Sequence, residues 1–231
     1  MTNLKMDNSI LRTLKLGAVV ALGLSIAGCT SKTAEEAEYS GFLSDYSQLQ
    51  ETKIDDGAVL LAWENPDIAK HTYTKVMIDP VVLHPKPKPG SQIREEMLDN
   101  LLLYLNKALR DRVGKNHEIV SVPGKDVLRV KTAVTGVRTT SEELSAYEYL
   151  PIALIWAGAT TATGNRSQAV EILLEVESSD SLTGEVMGAG VRKGFGESVS
   201  NTKEQVEVEN VRPLLDNWAD ALVPYLDRVL K

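Results

Sequence analysis

The sequence predicts a single α+β domain, with a largely antiparallel sheet and helices packed on one face, preceded by a signal peptide. Two long segments repeat apolar residues at helical spacing, and several shorter ones are β-branched or alternate between apolar and polar residues. Their order is strand, helix, two strands, an apolar segment, two strands and helix. Such an order favours one antiparallel sheet with its helices on a single side.

The first 28 residues have the pattern of a signal peptide. Lys5, Arg12 and Lys15 precede a mostly apolar run of twelve residues, 16–27. A membrane-spanning helix needs about 20 apolar residues, so this run is too short to cross a bilayer. A basic region followed by a short apolar region and small residues is typical of a cleaved signal.

The only cysteine, Cys29, directly follows this run. The sequence Ile26-Ala27-Gly28-Cys29 resembles the lipobox of bacterial lipoproteins: a branched aliphatic residue, two small residues and a thiol. The resemblance implies that signal peptidase recognises Ile26, Ala27 and Gly28, and that acylated Cys29 becomes the first residue of the mature chain. A single thiol cannot form an intramolecular disulfide. The alternative is a spare cysteine in a removed leader.

If Cys29 carries acyl chains such as palmitate, the protein is attached to the membrane through a covalent lipid anchor. Each buried methylene contributes about 0.8 kcal/mol, so two or more chains hold a protein firmly. Thr30 stands where an Asp would signal inner-membrane retention. By resemblance to Gram-negative sorting rules, we expect the periplasmic face of the outer membrane. Residues 29–38 are interpreted as the lipidated cysteine and a short tether, of which residues 30–38 reach only about 30 Å when extended.

The composition of the mature chain limits the class of partner. Removing residues 1–28 leaves 203 residues, enough for one domain over 39–231, with 22 basic and 31 acidic residues. A net charge of −9 without a basic cluster makes the chain a poor candidate for binding nucleic acid or anionic lipid headgroups. We expect the membrane, through the lipid anchor, and a protein of the cell envelope.

The first strand and helix are predicted around a proline-rich break. The β-branched stretch 73–83 predicts a strand, and three prolines within 84–90 end it. Ser91 is the predicted N-cap of a helix that ends at Gly114. Its apolar stripe consists of Ile93, Met97, Leu98, Leu101, Leu102, Leu105, Leu109 and Val113.

The second half of the domain predicts further strands. Segments 117–122 and 127–137 are separated by the turn signal Pro123-Gly124, and the alternating segment 169–177 continues into a hairpin turn over 178–187. Val170, Ile172, Leu174 and Val176 share one face of that alternating strand. We expect Glu171, Glu175 and Glu177 on the opposite face, simply solvated.

A C-terminal helix is predicted by a second apolar stripe. Pro213 is acceptable in its first turn, whereas Pro224 predicts a kink or a short break. The stripe consists of Val211, Leu214, Leu215, Trp218, Leu222, Leu226, Val229 and Leu230. We expect Trp218 and Leu222 on the same sheet face as Leu101, Leu105 and Leu109.

The segment 147–162 carries one charge, Glu148, among apolar and small residues. It is too short to span a bilayer. One interpretation is a buried connecting helix. The other is an exposed interaction patch, as apolar patches at binding sites are. The candidate patch residues are Tyr149, Leu154, Ile155 and Trp156.

No catalytic, cofactor-binding or metal-binding residue is predicted. His71, His84 and His117 are scattered and lack metal-ligand spacing. The glycines of 188–190 and 194–196 do not open a helix as a phosphate loop would, so close backbone approach explains them better. We therefore expect a non-enzymatic protein that binds or braces another envelope component. The alternative is a membrane-tethered hydrolase or small-ligand-binding protein with an unrecognised site.

Several segments carry a family resemblance through their order and spacing: Tyr39-Ser40-Gly41-Phe42-Leu43-Ser44-Asp45-Tyr46, the strand at 73–81, Pro123-Gly124 followed by Leu128-Arg129, Thr183-Gly184-Glu185, and Trp218-Ala219. Together they resemble a family of bacterial lipoproteins known as the domain of unknown function DUF3313. The resemblance covers residues 39–230, which supports a single domain, and implies no established activity.

Overall fold

A computed structural model describes most of the chain from residue 33 onwards. The described residues are 33–54, 57–86, 90–141 and 167–231. Several sequence predictions lie outside them: the signal peptide, the lipobox with Cys29, and the candidate patch residues Tyr149, Leu154, Ile155 and Trp156.

The described residues form eight strands, two long helices and three short 3-10 helices. The strands are β1 (Gln50–Lys53), β2 (Val59–Glu64), β3 (Lys75–Ile78), β4 (Val82–Leu83), β5 (Glu118–Ile119), β6 (Val127–Ser141), β7 (Gln168–Asp180) and β8 (Val186–Phe195). The long helices are α1 (Glu95–Val113) and α2 (Arg212–Val229), and the 3-10 helices are Glu36–Glu38, Ile68–Lys70 and Val208–Asn210.

The strands form one sheet in the order β1-β2-β8-β7-β6-β3-β5, and β4 also pairs with β6. Neighbours from β1 to β6 along this order are antiparallel. The short strands β3 and β4 run parallel to β6, and β5 runs parallel to β3. The structure confirms the predicted α+β class with a largely antiparallel sheet.

Both helices pack on one face of the sheet. Leu101, Leu105 and Leu109 of α1 are buried in the same apolar cluster as Trp218 of α2, and Leu222 packs against it. The sheet contributes Val134, Val137, Val170, Ile172 and Leu174 to this cluster. The predicted burial of the two helical stripes on a common sheet face is confirmed. None of the helices in the described part of the chain is long and apolar enough to cross a membrane.

The start of α1 differs from the prediction. Arg94, not Ser91, is the N-cap residue, and the helix begins at Glu95. A tight turn closed by a hydrogen bond from Gly90 N–H to the Ile93 carbonyl takes up the residues around Ser91. The predicted C-terminal end is confirmed, because Gly114 is the C-cap residue.

The two prolines of α2 behave differently. Pro213 lies in the first turn, where a missing N–H costs nothing, as predicted. The predicted break at Pro224 is absent, since the described helix is continuous from Arg212 to Val229. Pro224 lies on the exposed side of α2, where water can satisfy the carbonyl that loses its helical donor.

The predicted strand at 73–83 is divided into β3 and β4. Asp79 and Pro80 separate them, and proline cannot donate to a strand ladder. The Asp79 N–H still donates to the Val130 carbonyl, so the chain remains against β6 across the interruption. Strands β1 and β2 were not predicted. All four residues of β1 are polar and exposed, so no burial pattern marks this edge strand.

Candidate functional site

The sheet face opposite the helices is covered by residues 33–49, which we call the strap. Ala34 and Leu43 of the strap are buried against Leu61, Leu173 and Val191 of the sheet. The rings of Tyr39 and Tyr46 stack with their centroids 4.4 Å apart and pack against the same cluster. Both faces of the sheet are therefore covered.

The prediction that Glu171, Glu175 and Glu177 are solvated is wrong. Their exposed fractions are 3%, 0% and 4%. They do point away from the helices, as the alternation of β7 predicted, but the strap lies over them. The error arose because the sequence of the strap gives no strand or helix pattern that would mark it as a covering layer.

Two of these carboxylates bind the backbone of the strap. Glu175 accepts hydrogen bonds from the Ser40 N–H at 3.0 Å and from the Tyr46 hydroxyl at 2.6 Å. Glu177 accepts a hydrogen bond from the Ser44 N–H at 2.8 Å. Since a buried carboxylate must be paired or hydrogen-bonded, these contacts fix the strap in register on the sheet.

The third carboxylate belongs to an ionic group that we call the strap cluster: Glu38, Arg138, Glu171 and Lys193. Arg138 of β6 forms ion pairs with Glu38 of the strap and Glu171 of β7. Lys193 Nζ of β8 lies 3.1 Å from Glu38 Oε1 and 3.6 Å from Glu171 Oε1. Two acids and two bases balance within the cluster, so burial leaves no net charge.

The two acids of the strap cluster respond differently to burial. Desolvation opposes ionisation of Glu38, but the hydrogen bond from the Glu35 backbone and the charges of Lys193 and Arg138 outweigh it and lower its pKa. Desolvation dominates at Glu171 and raises its pKa despite the attraction of Arg138 and Lys193. The ionised form of Glu38 is therefore the one that the folded strap favours.

The strap begins close to the predicted lipid anchor. Thr33 is buried, and its hydroxyl donates to Glu51 Oε1 of β1 at 3.1 Å. The packed part of the chain thus starts inside the segment that composition assigned to a tether. Only four Cα–Cα steps separate Cys29 from Thr33, which is at most about 15 Å.

On the helix face, an open groove of about 730 Å³ separates α2 from the outer strands β2 and β8. Ala62, Gly188 and Gly190 form its floor, with Leu60 on the strand side and Leu222 on the helix side. We call this the groove. It is mostly apolar and open to solvent.

The groove exists because the helix face of β8 carries small residues. The register places Gly190 opposite Val176 of β7 and opposite Ala62 of β2. A Cβ built on Gly190 would meet nothing closer than the Leu61 carbonyl at 3.5 Å. At Gly194, a Cβ would lie 2.6 Å from Leu214 Cδ1, because α2 closes over the strand there. Close backbone approach explains Gly194, as predicted, but not Gly190.

Arginines stand at both ends of the groove. Arg192 lies over the Trp218 ring at 5.6 Å and donates to Asn217 Oδ1 at 2.8 Å. Arg228 pairs with Glu64 at 2.7 Å. The groove had one sequence signal, the glycines two residues apart at 188 and 190, which share a strand face.

The histidines lie elsewhere. His71 stacks on Tyr73, His84 contacts Phe42, and His117 Nε2 lies 2.8 Å from Asp227 Oδ1. Among the described residues, no group of three or more His, Cys, Asp or Glu side chains could hold a metal ion. Inside the groove, Ser178 Oγ and Tyr225 Oη hydrogen-bond to each other at 2.7 Å.

Two solved structures show a distant likeness to this chain. A PelC dodecamer from Paraburkholderia phytofirmans is 11% identical, with a TM-score of 0.33, and the match covers 74% of this chain and 98% of that one. The hypothetical protein CT253 from Chlamydia trachomatis is also 11% identical, with a TM-score of 0.33 over 68% of this chain and 91% of that one.

Sequence comparison identifies the family of the chain. The uncharacterised lipoprotein YdcL of Escherichia coli (strain K12) is 33% identical over 211 residues, which is 90% of this chain and 95% of that protein. The same protein from E. coli O157:H7 matches equally. The family model of the proteins of unknown function DUF3313 matches residues 38–222. The chain therefore belongs to the DUF3313 family, and it is a lipoprotein.

Proposed function

We propose that this lipoprotein is anchored through acylated Cys29 on the periplasmic face of the outer membrane and is not an enzyme. Its role is to bind or brace another component of the cell envelope at a fixed distance from the bilayer. The observation that supports this role is the strap, which joins the anchored end of the chain to the middle of the sheet.

A flexible stalk would let the domain sample many heights and orientations above the membrane. The strap removes that freedom, since buried ion pairs and carboxylate–backbone hydrogen bonds hold residues 38–44 on the sheet. With at most about 15 Å between Cys29 and Thr33, the domain stays close to the lipid surface. Fixed placement is useful for bracing, because a preorganised contact avoids the entropy cost of ordering a linker.

The test is capture of envelope partners by the full lipidated chain after cross-linking in cells, quantified by mass spectrometry. A flexible insertion of about twelve residues between Lys32 and Thr33 would lengthen the attachment by roughly 40 Å. We expect it to reduce capture severely. The matched control is the same insertion beside Leu182, in the exposed turn between β7 and β8.

Equal loss from both insertions would show only a general disturbance of the protein, and undiminished capture by the Lys32 insertion would contradict the fixed-distance role. Catalytic turnover of the captured component by the purified chain would overturn the non-enzymatic assignment. Retention of Cys29→Ser in the outer-membrane fraction would overturn the anchor.

A further inference from the structure

We propose that the groove binds the acyl chain of a lysophospholipid with an anionic headgroup, drawn from the membrane to which the protein is anchored. This proposal deepens the proposed function, on whose lipid anchor it rests, by assigning one ligand class to one surface.

The lining of the groove suits a hydrocarbon chain. Leu60, Ala62 and Leu222 contribute apolar surface, and the glycines of the floor contribute no side chain. The hydroxyls of Ser178 and Tyr225 form a partly buried hydrogen bond with each other, so a methylene chain passing over them leaves neither hydroxyl unsatisfied. Covering exposed apolar surface of this kind with a hydrocarbon chain removes it from water, which favours binding.

The size of the groove favours a small amphiphile over a folded protein. Its volume of about 730 Å³ lies within the range of roughly 300–1,000 Å³ that is typical of small-molecule sites. Along α2 it extends from Asn217 to Arg228, a span of eleven residues or about 16 Å of helix. A stable protein interface needs roughly 800 Å² from each partner, far more than such a channel offers.

The charges around the groove favour an anionic headgroup. Among the described residues, three basic ones line it, Lys53, Arg192 and Arg228, against two acidic ones, Glu64 and Asp220. The charge balance of these residues is positive although the whole chain has a net charge of −7. A headgroup would be an additional partner for Arg192, which already donates to Asn217. A guanidinium matches the geometry of a phosphate with two parallel hydrogen bonds, which makes Arg192 the preferred headgroup contact.

The groove lies close to the membrane from which the ligand would come. Thr33 is bonded to Glu51, and the next residue, Thr52, lines the groove. The anchored end of the chain and the groove therefore share the β1 edge of the sheet. Since Cys29 lies at most about 15 Å from Thr33, this edge is held near the bilayer.

The test uses the full lipidated chain in nanodiscs of neutral phosphatidylcholine. The probe is lysophosphatidylglycerol with a photoactivatable diazirine in its acyl chain, and cross-linked peptides are mapped by mass spectrometry. We expect labelling of the groove at peptides containing residues 60–63 and 218–225. Lysophosphatidylcholine with the same acyl chain should label these peptides at least five-fold less.

Two variants separate the tail site from the headgroup site. Gly190→Leu places a side chain on the open floor and should abolish labelling, whereas Arg192→Gln should remove the preference for the anionic headgroup and keep the labelling by the acyl chain. Leu103→Ser, on the exposed side of α1, is the control and should label like the parent.

Groove labelling that survives Gly190→Leu, or that is equal for both headgroups in the parent, would overturn the proposal. Displacement of the probe by a co-purifying peptide would assign the groove to a protein partner and also overturn it. None of these results depends on partner capture, so a failed ligand assignment is distinguishable from a failed bracing role.

Discussion

Leu105 of α1 lies at the centre of the apolar layer between the helices and the sheet and is fully buried. Truncation there removes transfer free energy and leaves a cavity that the surrounding side chains cannot fill. We expect Leu105→Ala to lower the free energy of unfolding by about 2–5 kcal/mol, measured by chemical denaturation.

Leu103, two residues earlier and 70% exposed, provides the matched comparison. Leu103→Ala removes the same atoms from the solvent-facing side of α1 and should change stability by less than about 0.5 kcal/mol. Similar losses at both positions would mean that the assignment of the buried face is wrong.

We expect the stability of the strap to depend on pH through the carboxylate of Glu38. Its pKa is lowered in the folded protein, so the stabilisation is complete above the ordinary glutamate pKa of 4.5 and is lost as pH falls below that value. At pH 7, Glu38→Gln should cost about 3–5 kcal/mol, as removal of one partner from a buried ion pair does. The difference in stability between parent and variant should shrink as pH is lowered from 6 to 3.

The comparison of parent with variant reports the charge of Glu38 together with its effect on Glu171, because the charge of Glu38 is one of the causes that raise the pKa of Glu171. Hydrogen exchange of residues 38–44 reports the strap directly. Glu36→Gln, an exposed change in the same segment, should leave the pH profile unaltered. A parent–variant difference that is constant across this pH range would refute the role of the Glu38 charge.

At the scale of elements, β8 offers a test of which glycines are packed and which are open. An added Cβ at Gly194 would meet Leu214 and Trp218 of α2 at 2.6 and 2.7 Å, whereas at Gly190 it meets only ordinary contacts. We expect Gly194→Ala to destabilise by about 1–3 kcal/mol through overpacking. Gly190→Ala should be neutral or stabilise by up to about 1 kcal/mol, since it restricts the unfolded chain. Thermal unfolding measures both variants. If Gly190→Ala were less stable than Gly194→Ala, the described packing of α2 on β8 would be contradicted.

The elements that were predictable from sequence are those with a strong local pattern. The stripe of α1, the alternation of β7 and the turn at Gly184 all follow from residue spacing, and the structure has each of them. The edge strand β1 was missed because all four of its residues are polar and exposed, although its partner β2 follows closely in the chain.

The candidate site was less predictable than the fold because it depends on contacts between segments that are distant in the chain. Alternation correctly assigned Glu171 to the second face of β7, but only the three-dimensional position of the strap decides whether that face meets water. The groove likewise depends on where α2 stops covering the sheet. The glycines of β8 are visible in the sequence, but the position of α2 relative to them is not.

For the whole molecule, the decisive prediction concerns the anchor. Cys29→Ser removes the thiol that acylation requires, so the variant should accumulate as an uncleaved or unlipidated chain. Membrane fractionation combined with gel mobility measures both effects. Thr30→Asp, which retains the thiol, should remain lipidated and move towards the inner membrane, which separates sorting from acylation. Normal mobility of Cys29→Ser in the outer-membrane fraction would contradict the lipobox.

The strap cluster also determines how the molecule carries mechanical load. Tension on the anchor enters the domain at Thr33 and, beyond the bond to Glu51, next meets Glu38, which is tied to Arg138 of β6 and Lys193 of β8. These strands, with β7 between them, occupy the middle of the sheet order. A pull from the proposed anchor would thereby be shared among the central strands and would not act on the edge strand β1 alone.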